Sequence, residues 1–156
     1  PLGTFFVRND STDLPMLMVG GGTGFAPLNS MIEDLLSHGD KRPLHLFWGA
    51  ETQAELYMHE KVRQWESENT HIRYTSALSG EGNREDPGSF QGLVHEAVLA
   101  AYPDLSGFDT YISGPPAMVE TGRNAFIEHG AEKRRIFFDS FEFGLDVPVR
   151  VLVKPH

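Results

Sequence analysis

Two short segments rich in glycine and proline have the composition of a binding site for a phosphorylated ligand. Residues 20–27 read GGGTGFAP and residues 113–116 read SGPP, and each follows an apolar run. A glycine-rich turn between a strand and a helix lets an anion reach the free N–H groups of the first helical turn. The first segment is not a P-loop, and Phe25 stands where the usual dinucleotide fingerprint has its third glycine. Taken alone, it fits either a pyrophosphate site or a tight turn without a ligand.

The elements that must position these segments follow from the apolar pattern. Apolar runs predict strands over 14–19, 43–49, 71–78, 108–114 and 134–143. Amphipathic segments predict helices over 26–39, 52–68, 90–102 and 116–130. Thr52, with Glu55 three residues on, is expected to cap the second helix. The alternation predicts a doubly wound α/β fold, a parallel five-stranded sheet of order 3-2-1-4-5 with helices on both faces. In that order the two segments meet at the switch point, where ligands of such sheets bind.

Composition limits the classes of protein to which the chain can belong. Its 156 residues suit one domain, and its formal net charge of −9 argues against nucleic-acid binding. The absence of cysteine excludes disulfides, thiolate zinc sites and cysteine-bound iron–sulfur clusters from this segment. The histidines of HEKVR (59–63) and HEAVL (95–99) lack the second histidine of a zinc helix, so no metal site is expected. No apolar stretch approaches the roughly 20 residues of a membrane span. We therefore expect no membrane association and a cytoplasmic location.

The two segments together resemble the nucleotide domain of the ferredoxin–NADP reductase family. In that family a Gly-Gly-Thr-Gly loop follows one strand, and a later strand ends in Cys-Gly-Pro with a methionine shortly after. The counterparts here are GGGTGFAP (20–27) and YISGPPAMV (111–119). Further similar segments are PLGTFF (1–6), LFWGAETQAELY (46–57), GSFQGLVHEAV (88–98) and IFFDSF (136–141). Within the family the chain looks most similar to reductase components of bacterial ring-hydroxylating dioxygenases and multicomponent monooxygenases.

The resemblance implies a domain plan and an activity. Residues 1–8 would end an FAD-binding domain and its linker, 9–143 would form the NAD(P)-binding domain, and 144–156 would be an extension of unknown role. The whole protein would pass a hydride from NADH to FAD, and then single electrons to an iron–sulfur centre. Its partners would be the FAD-binding domain and a ferredoxin-type [2Fe-2S] domain or an oxygenase component, all outside this chain. A stand-alone flavin reductase and a nucleotide-binding regulatory domain remain open alternatives, and the oligomeric state is not predicted.

The resemblance also assigns roles to individual residues. The expected cofactor-binding residues are Gly21, Gly22, Thr23, Gly24, Pro27, Gly49, Ala50, Glu51, Ser79, Gly114, Pro115, Pro116 and Met118. Ser113 takes the place of the family's cysteine and is expected at the nicotinamide ring. Phe141 would approach the flavin, with Asp139 beside it. Because hydride transfer between two rings needs no acid or base on the nucleotide side, these residues would bind and orient the cofactor.

Acidic residues favour NADH over NADPH as the cofactor. Glu51 and Glu55 follow the second predicted strand, and Ser79 is followed by Gly80 and Glu81 rather than by a base. A 2′-phosphate needs Arg or Lys close by, and carboxylates would repel it. Arg84 is the one nearby base that could offset this preference.

Overall fold

The computed structural model describes residues 13–80 and 88–140 of the chain. In these residues one parallel sheet has the strand order β4-β3-β2-β1-β5-β6. The strands are β1 (Met16–Gly21), β2 (Leu44–Ala50), β3 (Ile72–Leu78), β4 (Phe90–Gln91), β5 (Asp109–Gly114) and β6 (Ile136–Ser140). The helices are α1 (Phe25–Ser37), α2 (His59–Glu68), α3 (Val94–Ala101) and α4 (Pro116–Glu128). Predictions that concern Phe141, Glu81, Arg84 and the segments 1–8 and 144–156 lie outside the described residues.

The predicted doubly wound fold is confirmed, with one strand more than expected. The five expected strands are β1, β2, β3, β5 and β6, and they occur in the predicted order. The additional strand, β4, pairs Phe90 with Ala77 and Gln91 with Leu78 at the edge of the sheet. The prediction of a helix from residue 90 is therefore wrong at its start. Phe90 and Gln91 extend the sheet, and α3 begins only at Val94.

The second predicted helix is shorter than the sequence pattern indicates. Residues Gln53–Glu55 form a separate 3₁₀ turn, and α2 begins at His59. The Glu55 carboxylate accepts the backbone N–H of Glu51 at 2.8 Å and that of Thr52 at 3.1 Å. Thr52 and Glu55 therefore close the turn after β2 and do not cap the long helix.

Two apolar cores cover opposite faces of the sheet, one beneath α1 and α2 and the other beneath α3 and α4. Successive strand residues alternate between them, so that Trp48 belongs to the first core and Phe47 to the second. Every residue of β1 is buried, because this central strand is covered on both sides. Across 13–80 and 88–140, no helix has the length and apolar character to cross a membrane.

Candidate functional site

A cleft of about 460 Å³ opens at the carboxyl ends of the central strands. Eight of the predicted cofactor-binding residues line it: Gly21, Gly22, Gly49, Ala50, Glu51, Ser79, Pro115 and Met118. The cleft extends from the switch point between β1 and β5 to the ends of β2 and β3. Its volume lies in the range of small-molecule and cofactor pockets. Predicted residues thus lie at both ends of the cleft, at the switch point and at the ends of β2 and β3.

The glycine loop after β1 is fixed by an aromatic pair. A 3₁₀ turn, Gly22–Gly24, leads directly into α1. The Trp48 indole N–H donates to the Gly22 carbonyl at 3.1 Å, and its ring stacks on Phe25 with centroids 4.1 Å apart. Phe25 is fully buried, so it anchors the helix start in the core instead of contacting a ligand. A buried aromatic anchor thus occupies the position of the third glycine of the usual fingerprint.

Glycines at the strand ends make room for close packing and leave the loop open toward the cleft. A Cβ on Gly21 or Gly114 would collide with the Met118 sulfur, and one on Gly24 would collide with the Ser113 carbonyl oxygen. A Cβ on Gly22 would meet nothing within 4 Å, although its φ of +55° strains any other residue. The unfilled space is thus on the side of the exposed Gly22, where a ligand can approach the backbone.

Comparison with known proteins assigns the family. Residues 18–124 match the model of the oxidoreductase NAD-binding domain. The chain belongs to this family. The predicted resemblance to nucleotide domains of ferredoxin reductases is thereby confirmed. The roles expected of the two glycine- and proline-rich segments stay predictions.

Three relatives illustrate the range of proteins that carry this NAD-binding domain. The chain is 40% identical over 141 residues to a CDP-6-deoxy-L-threo-D-glycero-4-hexulose-3-dehydrase reductase of Yersinia pestis, covering 90% of this chain and 41% of that protein. It is 33% identical over 147 residues to the reductase component DmpP of phenol 2-monooxygenase from Pseudomonas sp. strain CF600, covering 94% and 41%. The crystal structure of Amycolatopsis cytochrome P450 reductase GcoB matches with a TM-score of 0.82 at 32% identity, covering 91% and 42%. The chain thus spans less than half the length of each of these relatives.

Ser113 lies deeper in the NAD-binding domain than the cleft wall. It is fully buried in β5, opposite Gly20 of β1 and Asp139 of β6. Its hydroxyl oxygen has no hydrogen-bond partner in the part of the chain that the structure describes. Ser113 and the half-buried Asp139 are adjacent but do not line the cleft. Their expected roles at the nicotinamide and the flavin remain predictions.

The other predicted residues are not among those that line the cleft. Thr23 and Gly24 belong to the 3₁₀ turn, and Pro27 lies in the first turn of α1, where its missing N–H costs no helical hydrogen bond. Gly114 packs against Met118, and the exposed Pro116 begins α4. The neighbouring Gly22 and Pro115 line the cleft.

The charged side chains that line the cleft are both carboxylates. Glu51 and Glu55 contribute them, and no Lys or Arg within 13–80 or 88–140 joins them. Because two backbone N–H groups hold the Glu55 carboxylate, its negative charge is fixed beside the end of β2. The part of the cleft beside Glu51 and Glu55 is therefore negatively charged.

Sequence reasoning missed one side of the cleft. Gly92, Leu93 and Val94 line it from the junction of β4 and α3, and Ala77 contributes from β3. Gly92, Leu93 and Val94 lay inside the helix predicted over 90–102. The signal that could have revealed them is Gly92, since a glycine within an apparent helix often marks a break. Its φ of +142° turns the chain from β4 into α3.

Proposed function

We propose that this chain is the NADH-binding domain of a flavoprotein reductase that passes a hydride from NADH to FAD and electrons onward to an iron–sulfur centre serving an oxygenase. The observation that carries this proposal is the open cleft at the switch point of a NAD-binding fold, which Gly22 and Pro115 both line. Residues 9–143 would form this domain, residues 1–8 would end the FAD-binding domain, and 144–156 would be an extension of unknown role. The flavin and the iron–sulfur centre would be bound by parts of a longer protein.

The residues of the cleft suit a dinucleotide, whose role is to supply a hydride to the flavin when both are bound. The backbone at the exposed Gly22 would receive the pyrophosphate, close to the start of α1. Pro115 and Met118 would form the wall opposite, restricting the nicotinamide to one orientation. Because Ser113 is fully buried behind this wall, binding would have to open a path to its unpartnered hydroxyl, which would then bond to the nicotinamide carboxamide. Each contribution is one of binding or orientation, and no residue of the chain has to transfer a proton.

The first test is the choice between NADH and NADPH. We expect NADPH to bind this chain about five- to tenfold more weakly than NADH, because Glu51 and Glu55 repel a 2′-phosphate at the exposed end of the cleft. Glu51→Ser should reduce the difference in affinity between NADH and NADPH. Glu60→Gln, which removes an exposed carboxylate outside the cleft, should leave that difference unchanged. Isothermal titration calorimetry with both nucleotides measures the effect. Equal affinities for the two nucleotides would show that these carboxylates do not select the cofactor.

The second test concerns Ser113 in the longer protein that carries FAD. We expect Ser113→Ala to slow flavin reduction by roughly 5- to 150-fold with little change in NADH affinity, since loss of one orienting contact costs about 1–3 kcal/mol. The melting temperature of Ser113→Ala should equal or exceed that of the wild type, because the variant removes a buried hydroxyl without a partner. Stopped-flow flavin reduction at several NADH concentrations separates rate from affinity. An unchanged limiting rate would mean that the hydroxyl does not reach the nicotinamide.

Gly22→Val is the contrasting variant for the same experiment. Its side chain would enter the space kept open for the pyrophosphate, on a backbone with φ of +55° that disfavours a β-branched residue. NADH affinity should therefore fall first, while the limiting rate of flavin reduction falls less. The two variants thus distinguish binding from orientation within one cleft.

One observation favours a different electron acceptor in place of an oxygenase. The identity to the Yersinia pestis dehydrase reductase is 40%, against 33% for the phenol 2-monooxygenase reductase component. The same NADH-to-FAD step could thus serve a nucleotide-sugar dehydrase instead of an oxygenase. Reduction of each type of purified acceptor by the longer protein, followed anaerobically, distinguishes the two functions.

A further inference from the structure

Trp48 is a fully buried tryptophan of β2 that contacts the backbone of the glycine loop. Its ring stacks on Phe25, with centroids 4.1 Å apart, and lies perpendicular to the ring of Tyr57 at 5.3 Å. A phenylalanine or leucine would also fill a position in this core, but neither side chain has a hydrogen-bond donor. A buried indole N–H needs a partner, and that of Trp48 donates to the Gly22 carbonyl oxygen at 3.1 Å. Trp48 therefore supplies a directed contact as well as apolar packing.

This contact fixes the direction of the peptide unit that joins Gly22 to Thr23. In a trans peptide the carbonyl and the N–H point to opposite sides. Because the Gly22 carbonyl points to the buried indole, the Thr23 N–H points away from it. Thr23 is the second residue of the 3₁₀ turn, and the first N–H groups of a helix have no partner within the helix. The indole thus aims a backbone donor away from the core.

The side opposite Trp48 is the side on which the cleft opens. Trp48 belongs to the apolar core beneath α1 and α2. Ala77 and Val94, which line the cleft, belong to the core on the other face of the sheet. Gly22 follows the carboxyl end of β1, is exposed and also lines the cleft. The Thr23 N–H is therefore directed toward the space that an anion can enter.

The glycine loop has little means of holding this orientation by itself. Residues 20–24 read GGGTG, and glycine has more conformational freedom to lose on folding than any other residue. A Cβ on Gly22 would meet nothing within 4 Å, so its surroundings leave the backbone room to turn on that side. A fixed contact to the Gly22 carbonyl, such as the one from Trp48, restricts that rotation.

We propose that Trp48 is a positioning residue for the dinucleotide, because its indole N–H holds the Gly22 carbonyl so that the Thr23 N–H faces the diphosphate. This inference rests on the proposed function. Trp48 does not line the cleft, so it acts through the peptide unit and not by touching the ligand. A donor that is already oriented does not have to be ordered when the ligand binds, which lowers the entropic cost of binding. Loss of the indole N–H should therefore weaken nucleotide affinity.

The first test makes the same substitution at each of the two tryptophans of the chain. Trp48→Phe should weaken the binding of NADH and of ADP about five- to tenfold, since both ligands carry the diphosphate. Trp65 packs in the same core, with its ring centroid 6.4 Å from that of Phe25, but it lies in α2 and does not line the cleft. Trp65→Phe should bind both ligands as the wild type does. Each variant should melt below the wild type, because each leaves space in the core. Isothermal titration calorimetry measures the affinities.

A tryptophan analogue removes the N–H while keeping the shape of the ring. In benzothienylalanine a sulfur atom takes the place of the indole N–H. In Trp65→Phe only Trp48 remains, so biosynthetic incorporation of the analogue replaces position 48 alone. Relative to Trp65→Phe, this protein should bind ADP about five- to tenfold more weakly, because only the hydrogen bond is lost. Its melting temperature should stay near that of Trp65→Phe, which separates the N–H from the packing of the ring.

The possible outcomes separate this inference from the proposed function. If the analogue protein binds ADP as tightly as Trp65→Phe, the indole N–H does not position the loop, and the inference is refuted while the nucleotide site stands. The inference is also refuted if Trp48→Phe weakens NADH but not ADP, because the loss then lies outside the diphosphate. If the wild type binds neither NADH nor ADP, the proposed function itself fails, and this inference with it. Should Trp48→Phe not fold, the analogue protein supplies the same comparison.

Discussion

Asp109→Ala is expected to lower the free energy of unfolding by about 3 kcal/mol, because it leaves two arginines without their shared carboxylate. Asp109 is 1% exposed at the start of β5, and its Oδ2 accepts Arg42 Nη2 at 2.7 Å. Arg135 Nε lies 3.2 Å from Oδ1, too poorly aligned to count as a hydrogen bond. Removal of one partner from a buried pair usually costs 3–5 kcal/mol. We expect the lower end, since the arginines remain 11% and 19% exposed and can still reach water.

Urea denaturation of the chain at neutral pH measures this effect. The matched control is Arg134→Ala, which removes an ion pair of 3.7 Å between Arg134 and Glu132, both largely exposed. Such a surface pair contributes about 0–1 kcal/mol. A loss in Asp109→Ala no larger than that of the control would show that the buried carboxylate is not a main support of the sheet.

The chain should also lose roughly 2–3 kcal/mol of stability between pH 7.5 and 4.5 through His45 alone. His45 is 5% exposed, and its ring nitrogens contact the hydroxyls of Tyr102 and Thr75, each at 2.8 Å. Burial, followed by the charge of Arg73, lowers the pKa of His45 from 6.5 to about 4. Above pH 6.5 the ring is neutral in both states and contributes nothing. Below pH 6.5 His45 binds a proton in the unfolded chain but stays neutral in the folded chain. The free energy of unfolding therefore falls until the pH reaches about 4.

The comparison of His45→Gln with the wild type isolates this contribution from that of the carboxylates. The variant keeps polar groups that can bond to Tyr102 and Thr75 but cannot titrate, so its stability should depend less on pH between 6.5 and 4.5. His38→Gln is the control, because His38 lies on the surface and is 73% exposed. Urea denaturation across that pH range tests the prediction. A pH dependence in His45→Gln as steep as in the wild type would contradict it.

Most of the site was predictable because its residues have unusual backbone requirements. The carboxyl ends of β1, β2 and β5 are marked by Gly22, Gly49 and Pro115. In a parallel sheet these ends lie at the same edge. Leu93 could not be predicted as part of the site. The two-residue strand β4 that positions it is too short to show a period and exists only through pairing with β3.

The sequence by itself determined the α/β class, the strand order and the place of the cleft, because these follow from local periodicity and from the positions of glycine and proline. Tertiary structure alone decided which polar groups meet across the fold. Asp109 lies 67 positions from Arg42, and the His45 ring bonds to Tyr102, 57 positions away. Contacts at such separations leave no local pattern in the chain. They depend on how the strands lie side by side, which places Asp109 at the start of β5 beside β1 and buries His45 within β2.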